Sequence, residues 1–168
     1  MKRVAHEKRD ILKEFVGILK DGDIPFCVIG DLAVNAYAEP VVSLDLDIVI
    51  VAERIDDILK VLGKGYKVER FPNSINISSR YSDLRIQLRT DPRYQEFIGR
   101  AHRKDVLGYK IPVAAIEDVL KGKVWAASDE NRRKSKRQKD LADILRLLEA
   151  GDRLVRLIPD TIRQRLSL

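Results

Sequence analysis

The 168-residue chain contains one cysteine, one tryptophan and two histidines, and these scarcities narrow the chemistry open to it. A lone Cys27 inside an apolar run supplies neither a disulfide framework nor a thiolate metal site, and it reads as a small core residue. His6 and His102 have no partner in a recognisable catalytic or metal-binding motif, so both read as surface residues. No apolar stretch approaches the length of a membrane span, and Met1-Lys-Arg-Val-Ala-His-Glu-Lys-Arg lacks the apolar segment of a secretory signal. The chain therefore reads as cytoplasmic, with no membrane partner. Internal repeats and low-complexity tracts are missing too, which removes solenoids and disordered tails from consideration.

What is present is a chain of one-domain size, 45% hydrophobic and 35% charged, with both signs interspersed and a net charge of +6. That excess leans toward an anionic partner such as a nucleotide, RNA or DNA. The basic residues concentrate in one place: six of the eight residues from Arg132 to Lys139 are Arg or Lys. The run reads either as a phosphate-contacting patch or as a solvated loop and helix start, and no aromatic residue interleaves it for base stacking.

Along the chain, Ile11, Leu12, Phe15, Val16, Ile18 and Leu19 recur at helical spacing, predicting a first amphipathic helix over residues 7–20. A strand over 25–29, a short helix over 31–38, a strand over 44–51 and a helix over 53–62 follow. Segments 66–71, 74–79 and 83–89 alternate as strands do, and their closeness in sequence favours antiparallel neighbours in a mixed sheet. Asp91-Pro92 predicts a helix running to about Lys104, then a strand pair near 106–113 interrupted by Gly108, a helix over 115–127 and a polar loop over 129–135. Leu141, Ile144, Leu145, Leu147 and Leu148 predict a further helix, and Pro159 opens a last short one. Trp125 and Tyr94 read as packing residues. The expected fold class is α+β, a single domain over 1–168 with a core of about 24–127 and a C-terminal helical extension of about 135–168.

The segment carrying most chemical information is Phe26-Cys-Val-Ile-Gly-Asp-Leu-Ala followed by Leu44-Asp-Leu-Asp-Ile-Val-Ile-Val51. Residues two apart on a strand share a face, so Asp45 and Asp47 converge while Leu44, Leu46, Ile48 and Ile50 pack the other way. Clustered carboxylate oxygens facing a glycine turn suit a hard cation such as Mg²⁺ together with substrate phosphates. Arg85 and Arg89 alternate with Leu84, Ile86 and Leu88, and they bind phosphate if their face lines a cleft.

This pattern resembles the nucleotidyltransferase superfamily that includes DNA polymerase β, and especially its minimal prokaryotic branch of abortive-infection type toxins and stand-alone proteins. The resemblance runs from about Phe26 to about Leu148 and includes Asp91-Pro-Arg-Tyr-Gln-Glu-Phe, Ile116-Glu-Asp-Val-Leu-Lys-Gly-Lys-Val and Arg137-Gln-Lys-Asp-Leu-Ala-Asp. It implies a nucleotidyltransferase-like mixed sheet flanked by helices. It also implies Mg²⁺-dependent transfer of a nucleoside monophosphate from an NTP to an acceptor hydroxyl. By the same resemblance Gly30 forms a phosphate-holding turn, Asp45 and Asp47 are catalytic metal ligands, Lys123 reaches the triphosphate, and Lys139 and Asp140 form a basic-acidic pair. Asp140 is expected to orient other residues.

Three positions depart from the family pattern. Asp31 stands where relatives carry Gly or Ser, beside the expected nucleotide phosphates, and would repel them unless it met a cation. Val41 and Val42 stand where many relatives carry an arginine. Gln87 aligns with the missing third acid and offers the metal a carbonyl oxygen without charge. The alternatives implied are a catalytically degenerate binder of nucleotide or nucleic acid, or a toxin acting on RNA or a protein acceptor and paired with an antitoxin.

Overall fold

The computed structural model describes residues 2–168, and side chains from residue 11 onward; the His6 side chain lies outside that range. Helices α1 (Lys2–Asp21), α2 (Gly30–Tyr37), α3 (Ile55–Val61), α4 (Gln95–Gly99), α5 (Ile116–Ser128), α6 (Lys134–Ala150) and α7 (Asp160–Leu166) surround a seven-stranded sheet. Its strands are β1 (Phe26–Ile29), β2 (Asp45–Ile50), β3 (Tyr66–Phe71), β4 (Ser74–Ser79), β5 (Ser82–Arg89), β6 (His102–Val106) and β7 (Tyr109–Val113), in the order β3-β4-β5-β2-β1-β7-β6. The class is α+β and the sheet is mixed, as the sequence predicts. The consecutive strands β3, β4 and β5 are antiparallel neighbours, whereas β2 pairs in parallel with β5 and β1 in parallel with β7. Among the described residues, no helix is long and apolar enough to cross a membrane.

Alternation decides which face of the sheet is dry. Leu46, Ile48 and Ile50 of β2 and Leu84, Ile86 and Leu88 of β5 are buried, and α1 lies along β5 with Leu12, Phe15 and Leu19 fully buried. The opposite face carries Asp45 and Asp47 of β2 in register with Arg85 and Gln87 of β5. Leu44 departs from its expected place: it precedes β2 and is exposed.

A second correction concerns the helix expected to run from Asp91 to about Lys104. Asp91 Oδ1 accepts from the Arg93 amide and starts a 3₁₀ turn, but α4 ends at Gly99 and the chain enters β6 at His102. β6 is an edge strand, exposed at His102, Arg103 and Asp105, so pairing with β7 rather than an apolar face of its own makes it a strand. Tyr94, Phe97 and Trp125 form the expected packing cluster, with ring centroids 5.3–5.8 Å apart. Cys27 is fully buried and its thiol is pushed up to about 12, chiefly by burial and secondarily by Asp118, which makes it an unreactive core group.

Candidate active site

Gly30 joins β1 to α2 with a φ of +71°, a conformation that favours glycine. A second constraint acts on the same position. A Cβ added there would overlap Asp47 Oδ2 and lie 3.1 Å from Asp47 Cγ, so only a hydrogen leaves room for the carboxylate. The backbone turn and the Asp47 side chain therefore abut.

Asp45 and Asp47 differ in surroundings. Asp45 is partly exposed and its Oδ1 lies 2.8 Å from Arg85 Nε. Arg85 is thus engaged with the carboxylate rather than standing free to meet a phosphate. Asp47 is only half-buried as a residue, yet its Oδ1 is sealed from solvent and has no hydrogen-bond partner. Burial raises its carboxyl above the ordinary range against the opposing pull of Arg89 and Lys123, and the neighbouring charges of Asp31 and Asp45 add to the rise. Gln87 sits in register with Asp47, and its Oε1 accepts from Arg89 Nη2 at 3.1 Å.

The carboxyl of Asp47 sets the sign of a stability prediction. Between the ordinary value of 3.8 and its raised native value, the folded protein retains a proton that the unfolded chain has lost, so stability falls as pH rises through that window. Asp47→Asn abolishes this titration. Without divalent cation at neutral pH it should be more stable than the wild type by about 1–2 kcal/mol, the scale of one unsatisfied buried polar group. Urea melts between pH 4 and 8 should show the gap opening with pH; a gap independent of pH would contradict the assignment.

Behind the turn lies an ion cluster that joins α2, α5 and α6. The Lys123 side chain is buried, with its Nζ 2.6 Å from Asp31 Oδ1, 3.3 Å from Asp140 Oδ1 and 2.9 Å from Asp143 Oδ2. Burial pushes Lys123 down, but Asp31 and then Asp143 outweigh it and hold the ammonium above its usual range. Asp31 also pairs with Lys139. Burial would raise its carboxyl, and Lys123 followed by Lys139 instead holds it well below the usual range. Arg132 Nε donates to Asp140 Oδ2 at 2.7 Å and Arg146 Nη1 to Asp143 Oδ1 at 2.8 Å. Asp140 thus pairs with both Lys123 and Arg132, and Lys123 is enclosed by carboxylates.

Arg146 extends the cluster through Asn35, whose Oδ1 accepts from Arg146 Nη2 at 2.7 Å and whose side chain pairs with both backbone groups of Val41. This anchors the exposed segment Val41-Val42 that leads into β2. Sequence reading assigned no role to Asp143, Arg146 or Asn35. The spacing of Asp140 and Asp143, three apart among Leu141 and Ile144, is the signal that both acids share a buried face of α6.

Two pockets meet at this site. One of about 60 Å³ is lined by Gly30, Asp47, Arg89, Lys123, Arg132 and Asp140. The other, about 450 Å³, is lined by Arg89, Arg93, Tyr94, Trp125, Asp129 and Arg132, among others. Arg89 lines both and has no acidic ion-pair partner among the described residues. The basic run thus divides: Arg132 and Lys139 pair with acids of the site, Lys136 and Arg137 are partly buried, and Arg133 and Lys134 are exposed.

The donor set fits one hard cation. Asp47 offers an orphaned buried oxygen, Asp45 a second carboxylate on the same face and Gln87 a neutral carbonyl. No third acid joins them: among the described residues, no group of three or more His, Cys, Asp or Glu is arranged to hold a metal.

No protein-family model matches the chain, and no curated protein is similar to it in sequence. Solved structures are similar in fold. The antibiotic-resistance factor ANT(2'')-Ia in solution superposes with a TM-score of 0.65 at 14% identity, over 94% of this chain and 92% of that one. The lincosamide antibiotic adenylyltransferase LnuA, bound to lincomycin, gives 0.56 at 13% identity over 81% and 95%. An antigenic nucleotidyltransferase-like protein from Paracoccidioides brasiliensis gives 0.59 at 17% identity over 86% and 76%. The chain that carries the glycine turn at the start of α2, the paired aspartates of β2 and the helices α5 and α6 beside them therefore has a fold similar to that of these nucleotidyltransferase structures.

Proposed function

We propose that the protein transfers a nucleoside monophosphate from an NTP to an acceptor hydroxyl, with Asp45 and Asp47 as ligands of a Mg²⁺ ion. The observation that carries this reading is the unpaired, buried Oδ1 of Asp47 beside a glycine turn that no larger residue could make without striking it. A cation bound there would neutralise charge on the phosphoryl group in transit. The chain's own residues supply the rest. Arg85 fixes the Asp45 carboxylate, the first turn of α2 presents backbone N–H groups to phosphate, and Arg89 places an uncompensated guanidinium next to Asp47. The acceptor oxygen bonds to the α-phosphorus, the bond to pyrophosphate breaks, and the hydroxyl proton passes to solvent.

The small pocket, about 60 Å³, is tighter than a triphosphate, so Arg132, which lines it, would have to move for one to enter. ANT(2'')-Ia is described in complex with adenylyl-2''-tobramycin and LnuA with lincomycin. Of the arginines lining the larger pocket, Arg93 pairs with Asp91 and Arg132 with Asp140, and the guanidinium of Arg89 has no acidic partner among the described residues, which supports an anionic acceptor such as RNA.

The test is transfer of label from each α-labelled NTP to total RNA, protein and water, with Mg²⁺, by the wild type and by Asp45→Ala/Asp47→Ala. Transfer should fall at least a thousandfold in the double variant, the scale expected when charge stabilisation is removed. Transfer retained by a folded double variant rejects the proposal.

A second reading, binding of nucleotide or nucleic acid without chemistry, draws on Gln87. It occupies the position beside Asp47 where a third carboxylate would complete a two-metal site, and Arg89 holds it. Mg²⁺-dependent NTP binding with no transfer to any acceptor would select this reading. A role as the toxin of a toxin-antitoxin pair would show as growth arrest on expression that Asp45→Ala relieves.

A further inference from the structure

The phosphate-binding end of this site already contains an anion. Asp31 lies in the first turn of the eight-residue helix α2, where backbone N–H groups lack partners within the helix. Its two carboxylate oxygens are divided between two lysines, Oδ1 with Lys123 and Oδ2 with Lys139. A helix N-terminus beside two ammonium groups is a donor set suited to phosphate, and here the Asp31 carboxylate is the partner that both ammonium groups hold.

The two lysines are not equivalent. Lys123 is 7% exposed and retains Asp140 and Asp143 if Asp31 leaves it. Lys139 is 46% exposed, and Asp31 is its only ion-pair partner among the described residues. An ion pair that exposed is worth at most about 1 kcal/mol, so Lys139 can exchange partners at little expense. The cluster as a whole sets three acids, Asp31, Asp140 and Asp143, against four bases, Lys123, Lys139, Arg132 and Arg146, and the surplus is cationic.

Resting on the reading of the Gly30 turn as a phosphate site, we propose that Asp31 is an intramolecular competitor for polyphosphate: its carboxylate holds Lys139 in the free protein, and a ligand phosphate binds by taking Lys139 from it. Asp31 then sets affinity downward. The site is selective for ligands with several charges, since a single weak anion gains nothing over the carboxylate already in place.

The experiment is calorimetric titration of the full chain with tripolyphosphate, without metal or nucleoside, at two salt concentrations. Asp31→Asn keeps the shape and removes the charge, and it should bind about tenfold more tightly, as expected for loss of one like charge near the ligand. The gain should shrink at high salt and vanish in Asp31→Asn/Lys139→Met. Lys139→Met alone leaves the buried cluster intact and should weaken binding relative to wild type, which keeps the test decisive if Asp31→Asn fails to fold. Equal or weaker binding by folded Asp31→Asn, or a gain that survives loss of Lys139, overturns the proposal and leaves Asp31 as a brace for Lys123. The probe contains no transferable nucleotide. A positive result with no transfer from any NTP would therefore reject the transferase reading and retain this one, and the converse result would do the reverse.

Discussion

Lys123→Met should lower stability by about 3 kcal/mol, the lower end of the range for removing one partner of a buried charge cluster. The substitution leaves Asp140 and Asp143, both almost fully buried, with one arginine each, and it leaves Asp31 with Lys139 alone. Methionine fills nearly the same volume, so packing loss contributes little and the effect reports charge. For a chain of this length the change corresponds to roughly 6–12 °C in Tm. A compensated variant, Lys123→Met/Asp140→Asn/Asp143→Asn, should recover more than half of the loss, because neutral amides tolerate the site that unpaired carboxylates do not. A Lys123→Met protein within about 0.5 kcal/mol of wild type, the range of an ordinary surface substitution, would mean that the cluster is more solvated than its burial indicates.

The second large effect is expected from one methyl group. Gly30→Ala must hold a φ near +71° and must also move the Asp47 carboxylate, because the new Cβ would overlap Oδ2. The left-handed conformation costs about 1–2 kcal/mol and the overpacking about 1–3 kcal/mol more. Thermal unfolding should therefore drop by several degrees. The more informative change is functional: the Mg²⁺ binding proposed for Asp45 and Asp47 should be lost along with Asp47 geometry even at temperatures where the variant is folded. A folded Gly30→Ala protein with wild-type Mg²⁺ affinity would separate the turn from the metal site and undo the geometric argument for both.

Much of this was legible because it is local. The apolar run Phe26–Ile29 ending in glycine, the parity of Asp45 and Asp47, and the alternation from Leu84 to Arg89 each lie within one element or one turn, and strand geometry fixes where their side chains point. The polar register across β2 and β5 was less accessible, because their parallel pairing spans an excursion through α3, β3 and β4 that sequence spacing does not encode. Lys123 shows the limit most clearly. The family resemblance implies that it reaches a triphosphate, and in this structure its ammonium is paired with acids of α2, 92 residues away, and of α6, the next helix in the chain. β6 illustrates the same point in secondary structure, since His102–Val106 lacks a strand's apolar alternation and becomes one through its partner.

The cluster that closes the site also has a consequence for when the site comes into being. Lys139 and Asp31 are 108 residues apart, and Lys123 and Asp31 are 92 apart. During synthesis the sheet strands from β1 to β7 are all made before the first residue of α6 emerges. For that interval Asp31 has no α6 lysine to hold. Contacts of such long separation form late. The nascent chain can therefore assemble its sheet well before Lys139 is available to pair with Asp31.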